Sequence, residues 1–351
     1  MRIELIVFGS IIALLVVLSF VFTIPENQIH INSSGQKSAL PLIGKAPDFV
    51  GISNWINSEP LKINGLKGKV VLIDFWTYSC INCIRTLPYL KSWNEEYSEK
   101  GLVIVGVHTP EFEFEKDPKN VKDAVEKYGL KYPIAQDNDR RTWTAYKNNY
   151  WPRHYLIDSK GNIRYDHIGE GGYEETEKAI QDLLKEKGAS IQNNMTQIKS
   201  DTDFSKIGSP EIYLGYNFAR SPLGNPAGFS PNSVEDYGEF DSSSITLGNT
   251  VYLSGKWKSE GDKIISVENS KLFLVYKAKK LNIVAGGNST IHISLDNKPL
   301  DSNSAGEDSE KSSTKIASQK LYNLISTTDY SPHILEISAD PGFEIYTFTF
   351  G

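Results

Sequence analysis

The chain has 351 residues, a formal net charge of −6, 39% hydrophobic and 11% aromatic residues. That length allows two domains of ordinary size, with enough apolar side chains to build a core in each. The acidic balance excludes general nucleic-acid binding, which needs a basic footprint to displace counterions from phosphates.

Residues 5–24, LIVFGSIIALLVVLSFVFTI, carry no charge and only Ser10, Ser19 and Thr23 as polar side chains. Twenty residues at helical rise span about 30 Å, the thickness of a bilayer core. A cleaved signal peptide has a shorter apolar stretch and a small-x-small cleavage site, and FTIPENQIH offers none. The expectation is a single-pass transmembrane helix over residues 5–24, anchored in the cell membrane with the rest of the chain on the extracytoplasmic side. Arg2 and the amino terminus precede the helix, with Glu4 offsetting one charge. Residues 25–41 are polar and irregular and read as a tether. Three N-x-S/T triplets, at Asn32, Asn194 and Asn288, are candidate N-glycosylation sites on that side of the membrane.

Strands and helices alternate over residues 42–188. KVVLIDFW is a continuous apolar run, as expected of a strand buried on both faces, and a helix follows over residues 80–100. LVIVGVH is a second buried strand. PKNVKDAVEKYGL is an amphipathic helix, with Pro118 in its first turn, Val121, Ala124, Val125 and Tyr128 on one face, and Gly129 as its C-terminal cap. YPIA reads as a short strand and DRRTWTAYKNN as a helix. HYLIDSKGNIRYDHIG is a hairpin turning at Gly161–Asn162, and YEETEKAIQDLLKEKG is a closing helix. The sum is an α/β domain with a mixed sheet. Composition shifts over residues 189–210, read as a linker. Residues 211–351 are short alternating segments separated by turn residues, the pattern of an antiparallel β-sandwich, with a long polar loop over residues 296–318 expected to be mobile.

Both cysteines of the chain fall in one place, Cys80-Ile81-Asn82-Cys83. A structural zinc site needs four ligands, and neither a second Cys pair nor a His pair accompanies this one. Ile84 stands where a c-type haem site has His. A static disulfide closing so small a loop constrains little chain entropy. A dithiol that cycles between reduced and oxidised forms remains. Its place, where a buried strand turns into a helix with Ser79 as candidate N-cap, suits that chemistry. A free thiol is only a few per cent thiolate at neutral pH, and bringing its pKa near 7 takes about 2 kcal/mol of preferential thiolate stabilisation. A helix N-terminus supplies part of this through its dipole and free N–H donors. Cys80, nearer that end, is the expected nucleophile, and Cys83, one turn further in, the resolving thiol.

DFWTYSCINC resembles the thioredoxin active-site segment. APDF at 46–49, LKGKVVLIDFW and IRTLPYL resemble the TlpA-like, membrane-tethered thiol-disulfide oxidoreductases. GVHTPEFEFEK, YPIAQDND, YWPRHYLID and GEGGYEETE resemble the extracytoplasmic part of DipZ-type proteins, and SPEIYLGY and the ending YTFTFG extend that resemblance toward the carboxyl end. It implies a thioredoxin-like fold for residues 42–188, followed by the sandwich. It also implies that Asp74, six residues before Cys80, is the buried acid that relays the resolving thiol's proton. Pro152 matches a cis-proline facing the cysteines, with the Trp151–Pro152 backbone offering strand-like hydrogen bonds to a substrate segment and Trp151 shaping substrate choice. Trp76 and Tyr78 would form the rim of the site, with ordinary core burial the readier reading for Trp76, and Pro88 matches a kink in the active-site helix. The helical membrane electron-transfer domain usual in DipZ has no counterpart here, so the expected electron donor is a separate membrane protein of CcdA type, and the expected substrates are disulfide-bearing proteins. No cofactor or metal is called for.

Glu111 sits past a strand end of an α/β sheet, where functional groups gather. It reads either as a group that tunes the dithiol or binds a partner, or as a solvated loop acid beside Glu113 and Glu115. His108 reads as a satisfied strand-end histidine, and Gly169–Gly172 as a turn. Two other functions compete. A peroxiredoxin-like peroxidase fits Thr77, three residues before Cys80, but Ile73 stands where that pattern has Pro. A cell-surface carbohydrate-binding protein would use the sandwich, with Trp257, Tyr252, Tyr276 and Phe273 as stacking faces. Ile81-Asn82 fixes no direction of electron flow, and the TlpA-like resemblance tilts toward reductase.

Overall fold

The fold, taken from a computed structural model, is described for residues 40–200 and 202–351. The expected anchor at residues 5–24, nearly all of the tether and Asn32 lie outside the described residues. Among the described residues no helix is long and apolar enough to cross a membrane.

The first domain contains β1 (Gly44–Lys45), β2 (Asn54–Ile56), β3 (Val70–Trp76), α1 (Ile81–Tyr97), β4 (Leu102–His108), α2 (Pro118–Tyr128), β5 (Ile134–Gln136), α3 (Arg141–Ala145), β6 (Arg153–Ile157), β7 (Asn162–Ile168) and α4 (Tyr173–Glu186). Its seven-stranded sheet runs β1-β7-β6-β3-β4-β5-β2. β3 is central, parallel to β4 and antiparallel to β6. All seven of its residues are buried, as the unbroken apolar run predicts. Alternation divides them between two cores. Val70, Leu72 and Trp76 pack with Leu87, Leu90 and Trp93 of α1, while Val71, Ile73 and Phe75 pack with Val105, Trp143 and Tyr155. Asp74 shares the parity of the first set, so it lies on the α1 face.

The expected caps of α2 hold. Asp117 accepts the Lys119 N–H, Pro118 opens the helix and Gly129 closes it at φ 63°. Gly161, at φ 82°, turns the β6–β7 hairpin, and Asp158 Oδ1 accepts the Asn162 N–H.

The second domain contains β8 (Ile212–Tyr213), β9 (Val234–Asp236), β10 (Val251–Ser254), β11 (Lys256–Ser259), β12 (Ile264–Ser266), β13 (Ser270–Lys277), β14 (Lys280–Gly287), β15 (Ser289–Leu295), β16 (Lys298–Pro299), β17 (Ser313–Ile316), β18 (Lys320–Ser326), β19 (Pro332–Ala339) and β20 (Phe343–Phe350). They form two antiparallel sheets, β10-β13-β19-β15-β16 with β17 on β15, and β18-β14-β20-β12-β11-β9 with β8 on β20. Leu272, Leu274, Ile283, Ile337 and Phe348 are among the fully buried residues of the core they share. Residues 296–318 are pinned, contrary to expectation. β17 pairs with β15, Ala305 bridges to Ile325, and Leu300 and Ile316 are buried, so a few apolar residues anchor an otherwise polar loop.

Residues 189–200 have no regular structure, yet they are strapped to the first domain. Glu177 accepts from Thr196 N–H at 2.8 Å and Thr196 Oγ1 at 3.0 Å, and Gln181 donates to Asn194 O at 2.8 Å. The side chains of Asn194 and Asn288 are exposed.

Trp257, Tyr252, Tyr276 and Phe273 are each no more than 3% exposed. Strand alternation turns Trp257 and Tyr276 into the shared core, while Tyr252 and Phe273 lie on the other face of their strands and are covered by the Phe240 ring, so none offers a face to a sugar.

Candidate active site

β3 ends at Trp76, and after four intervening residues the chain enters α1 at Ile81. Cys80 itself is the N-cap, at φ −75° and ψ 113°, and its sulfur accepts the Cys83 N–H at 3.3 Å. The sequence pointed to Ser79 for this place. Its hydroxyl instead donates to Glu115 Oε1 at 2.5 Å, recruited by a fully buried carboxylate. Cys80 therefore sits at the helix N-terminus, with its sulfur taking one of the first-turn N–H groups that have no partner within the helix.

Cys80 is partly exposed, Cys83 is 1% exposed, and both are free thiols. Burial pushes the Cys83 thiol well up, and the adjoining Cys80 and the Asp74 carboxylate push the same way. One sulfur is thus open to a substrate, while the other holds its proton until a base removes it. Asp74, 1% exposed, is the acid facing that thiol, and neither of its oxygens has a hydrogen bond among the described residues. Its Oδ1 lies 3.3 Å from Nε2 of His154, directly opposite on β6.

The Trp151–Pro152 peptide bond is cis. Trp151 Nε1 donates to Thr109 O at 3.0 Å, and the Arg140 guanidinium sits 5.1 Å above its ring. Trp151 lines a cleft of about 200 Å³ together with Ser79, Cys80 and Glu111. The opposite wall comes from the sandwich: Glu211, Tyr213, Arg220 and Thr347. An apolar seam holds the two domains together. Phe112 and Phe114 meet Tyr346 at ring distances of 5.1 and 4.9 Å, and Phe112 meets Phe218 at 5.8 Å. Asn82 donates to Glu211 at 3.4 Å, and Arg85 reaches Phe350 O at 3.3 Å and forks onto Glu170 at 2.6 and 2.8 Å. The active-site helix is thereby tied to both the sandwich and the Gly169–Gly172 turn.

Trp76 and Tyr78, expected at the rim, are 0% and 5% exposed. The parity of β3 carries Trp76 into the α1 core. Tyr78 stacks on His108 at 5.6 Å and faces α2 rather than the cleft. Burial pushes the His108 imidazole down to about 3, so it is neutral, and its Nε2 pairs with Thr77 Oγ1 at 3.3 Å. It packs as a strand-end histidine, as the sequence indicated, but is only half satisfied, since its Nδ1 is buried with no hydrogen-bond partner among the described residues.

Glu111 is no solvated loop acid. It is partly buried in the cleft and receives the Tyr213 hydroxyl on Oε1 at 2.7 Å. Burial, and then the charge of Glu115, raise its carboxyl to about 8, while the Tyr213 bond pulls it back. Glu115 is fully buried, and its Oε2 accepts the N–H groups of Glu111 and Phe112 at 2.6 and 3.0 Å. Glu113, with 78% of its side chain exposed, is the one solvated acid of the three. The sequence reading missed Glu115, His154 and the whole sandwich wall. His154 carried a signal, lying two residues past Pro152. Tyr213 and Glu211 sit inside SPEIYLGY, a motif noticed only as a likeness.

Residues 43–166 match the AhpC/TSA family, and residues 209–351 match the family described as thioredoxin like C-terminal domain. The chain is 34% identical over 328 residues to protein DipZ of Mycobacterium tuberculosis, a match covering 91% of this chain and 45% of DipZ. It thus spans just under half of DipZ's own length. It is 30% identical over 140 residues to thiol-disulfide oxidoreductase YkuV of Bacillus subtilis, covering 40% of this chain and 94% of YkuV. It is 32% identical over 144 residues to thiol-disulfide oxidoreductase ResA of Bacillus thuringiensis, covering 41% of this chain and 77% of ResA. Oxidoreductases matched over most of their own length agree with an open thiol set above a buried one, and this chain belongs to the thioredoxin-like thiol-disulfide oxidoreductases of the TlpA and DipZ type.

Proposed function

We propose that this enzyme is held at the cell membrane by residues 5–24 and reduces disulfides of extracytoplasmic proteins, taking its electrons from a separate membrane donor of CcdA type. The observation that carries the exchange chemistry is the asymmetry of the pair, with Cys80 partly exposed in a cleft and Cys83 buried beneath it against Asp74. Cys80 attacks a substrate disulfide and forms a mixed disulfide. Cys83, its proton taken by Asp74, attacks the Cys80 sulfur and releases the substrate thiolate. The backbone around Pro152 aligns the substrate segment. Because the sandwich walls the cleft, an extended segment enters more readily than a folded surface. The uncharged run and the polar tether support membrane attachment. Against a peroxidase, the Thr77 hydroxyl is turned to His108 in the core rather than toward the cleft.

Equilibrating the Cys80–Cys83 pair against glutathione at a series of ratios tests the direction. A potential below that of glutathione supports the reductase, and one far above it overturns that direction. A Cys83→Ala variant should accumulate mixed disulfides on Cys80 with extracytoplasmic proteins. Turnover of hydrogen peroxide as fast as disulfide exchange would favour the peroxidase instead.

A further inference from the structure

Asp74, His154 and His167 form a lateral row across three neighbouring strands. Asp74 on β3 is registered opposite His154 on β6, and His154 is registered opposite His167 on β7. Directly opposed residues of antiparallel strands point to the same face, so all three side chains lie on the side covered by α1 and α4. The inner end of the row is buried. His154 Nε2 is 3.3 Å from Asp74 Oδ1, and both residues are 1% exposed. The outer end reaches solvent, since His167 is only partly buried. The two imidazole centroids are 6.4 Å apart with planes inclined by 33°, a separation of the size that a single water-mediated hydrogen bond bridges.

The surroundings keep the row in place. The Trp93 ring lies 6.4 Å from His154, edge to face. Gly172, at φ 56°, leaves the space that the His167 ring occupies, and a Cβ there would lie 2.5 Å from His167 Cε1. The groups facing Asp74 are the Cys83 thiol from α1, the Tyr132 phenol and His154. Those facing His167 are His154, Glu175, Asp166 and the backbone at Glu170. Both nitrogens of His154 and Nε2 of His167 are buried with no other hydrogen bond among the described residues, so nothing else in the fold engages them. Three buried ring nitrogens without hydrogen bonds are a standing cost, and packing alone gives no reason to keep them.

We propose that His154 and His167 extend Asp74 into a proton conduit that connects the buried resolving thiol to solvent on the β7 side of the sheet, beside the Gly169–Gly172 turn. The proposal rests on the reading of Asp74 as the base for Cys83. As the Cys83 sulfur attacks the mixed disulfide, its proton goes to Asp74 and the Cys80–Cys83 bond forms. The bond to the substrate sulfur breaks, and that sulfur leaves with the electron pair as thiolate. The enzyme dithiol is oxidised and the substrate disulfide reduced. Asp74 then passes its proton to His154, and His154 passes one through His167 to water. When the pair is reduced again, the same path returns a proton to Cys83. His154 and His167 touch no substrate, so they are positioning and relay residues, not catalytic ones.

Ellman's reagent separates the steps. With the reduced protein, the first thiolate released reports attack by Cys80, and the second reports resolution by Cys83. In His154→Gln the ratio of second-phase to first-phase rate should fall about tenfold near neutral pH, less than the roughly hundredfold or more that a group taking the proton directly contributes. The second phase should also lose the slowing in heavy water that the unaltered protein shows. His167→Gln, partly exposed and milder for folding, should lower the ratio about threefold by the same reasoning and remains decisive if His154→Gln does not fold. An unchanged ratio and isotope effect in a folded His154→Gln, or in His167→Gln when the first does not fold, overturns the conduit. Asp74→Asn separates the two layers. If it slows resolution while the histidine variants do not, the conduit fails and Asp74 stands. If Asp74→Asn leaves resolution unchanged, the base itself is misassigned and the conduit falls with it.

Discussion

Tyr213 of the sandwich donates its hydroxyl to Glu111 of the thioredoxin-like domain at 2.7 Å, inside the cleft that Cys80 opens into. One domain thus sets the charge of an acid belonging to the other. With its carboxyl raised to about 8, Glu111 is neutral at physiological pH and ionises just above it. A carboxylate forming there opposes a thiolate in the same cleft. Glu111→Gln should therefore remove an inflection near pH 8 from the pH profile of Cys80 alkylation. Tyr213→Phe, which deletes a bond favouring the carboxylate, should move that inflection to higher pH. Identical profiles for all three proteins would break the link between Tyr213 and the site.

The same shift predicts how stability depends on pH. Folded Glu111 keeps its proton up to about 8, whereas the unfolded side chain releases it near 4.5. The folded state binds more protons across that window, so this stabilisation is complete below about pH 4.5 and is lost as pH rises through 8. Urea unfolding at about pH 5 and pH 9 should cost the unaltered protein roughly 2 kcal/mol more than Glu111→Gln, after allowance for the partial exposure of the group. An equal loss in both proteins would mean that the carboxyl titrates normally.

How far the sequence revealed this site depended on distance along the chain. The helix-start dithiol sits in a short motif whose chemistry is local, while the acid on β3 and the proline before β6 are legible only through the thioredoxin-like resemblance. Core burial is the readier sequence reading for Trp76, and the parity of β3 produces it, whereas nothing in the motif marks Tyr78 as turned toward α2. The sandwich wall is a different case. Tyr213 and Glu111 are 102 positions apart, and a tyrosine in a short strand carries no mark of the carboxylate it will meet. Glu115 looked like its exposed neighbour Glu113 because the short helical turn at Glu113–Lys116 sends one side chain inward and the other outward. The long loop at residues 296–318 misled in the opposite sense, since its anchors, Leu300 and Ile316, are sparse among polar residues.

Glu115 holds the loop that delivers Cys80. Its two oxygens take one hydroxyl and two backbone N–H donors, all aimed at an acceptor. Glutamine cannot satisfy both sides, because its NH2 would face donors. Glu115→Gln should cost about 1–3 kcal/mol in denaturant unfolding, the range for leaving buried polar groups unpaired. Ser79→Ala, which removes one donor and keeps the carboxylate, should cost less. If Glu115→Gln proves as stable as the unaltered protein, the loop is held by something else.

The apolar seam makes the wall rigid. Phe112 is 2% exposed and packs on rings from both sandwich sheet residues and its own turn. Phe112→Ala should lower stability by about 3 kcal/mol, as for other buried Phe truncations. It should also speed alkylation of Cys80 by bulky maleimides more than by iodoacetamide, since a loosened wall relieves size exclusion. A uniform change for both reagents would argue that the wall does not restrict access.

The strap along the first domain offers a last test, independent of the thiols. Glu177 is 2% exposed, and its carboxylate collects the Tyr97 hydroxyl at 2.7 Å as well as both donors of Thr196. This one group therefore fastens residues 189–200 to α4 and α1. Truncating it leaves a buried phenol and a backbone N–H without their acceptor, a loss of about 1–3 kcal/mol. Much of that loss is local, since the strap has no helix or strand of its own to resist opening. Glu177→Ala should be cleaved within residues 189–200 by a broad-specificity protease several times faster than the unaltered protein, because cleavage follows the population of the open form. Global unfolding should shift much less than cleavage does. If cleavage in this segment keeps its original rate, other contacts, such as the Gln181 bond to Asn194 O, are enough to hold the strap down.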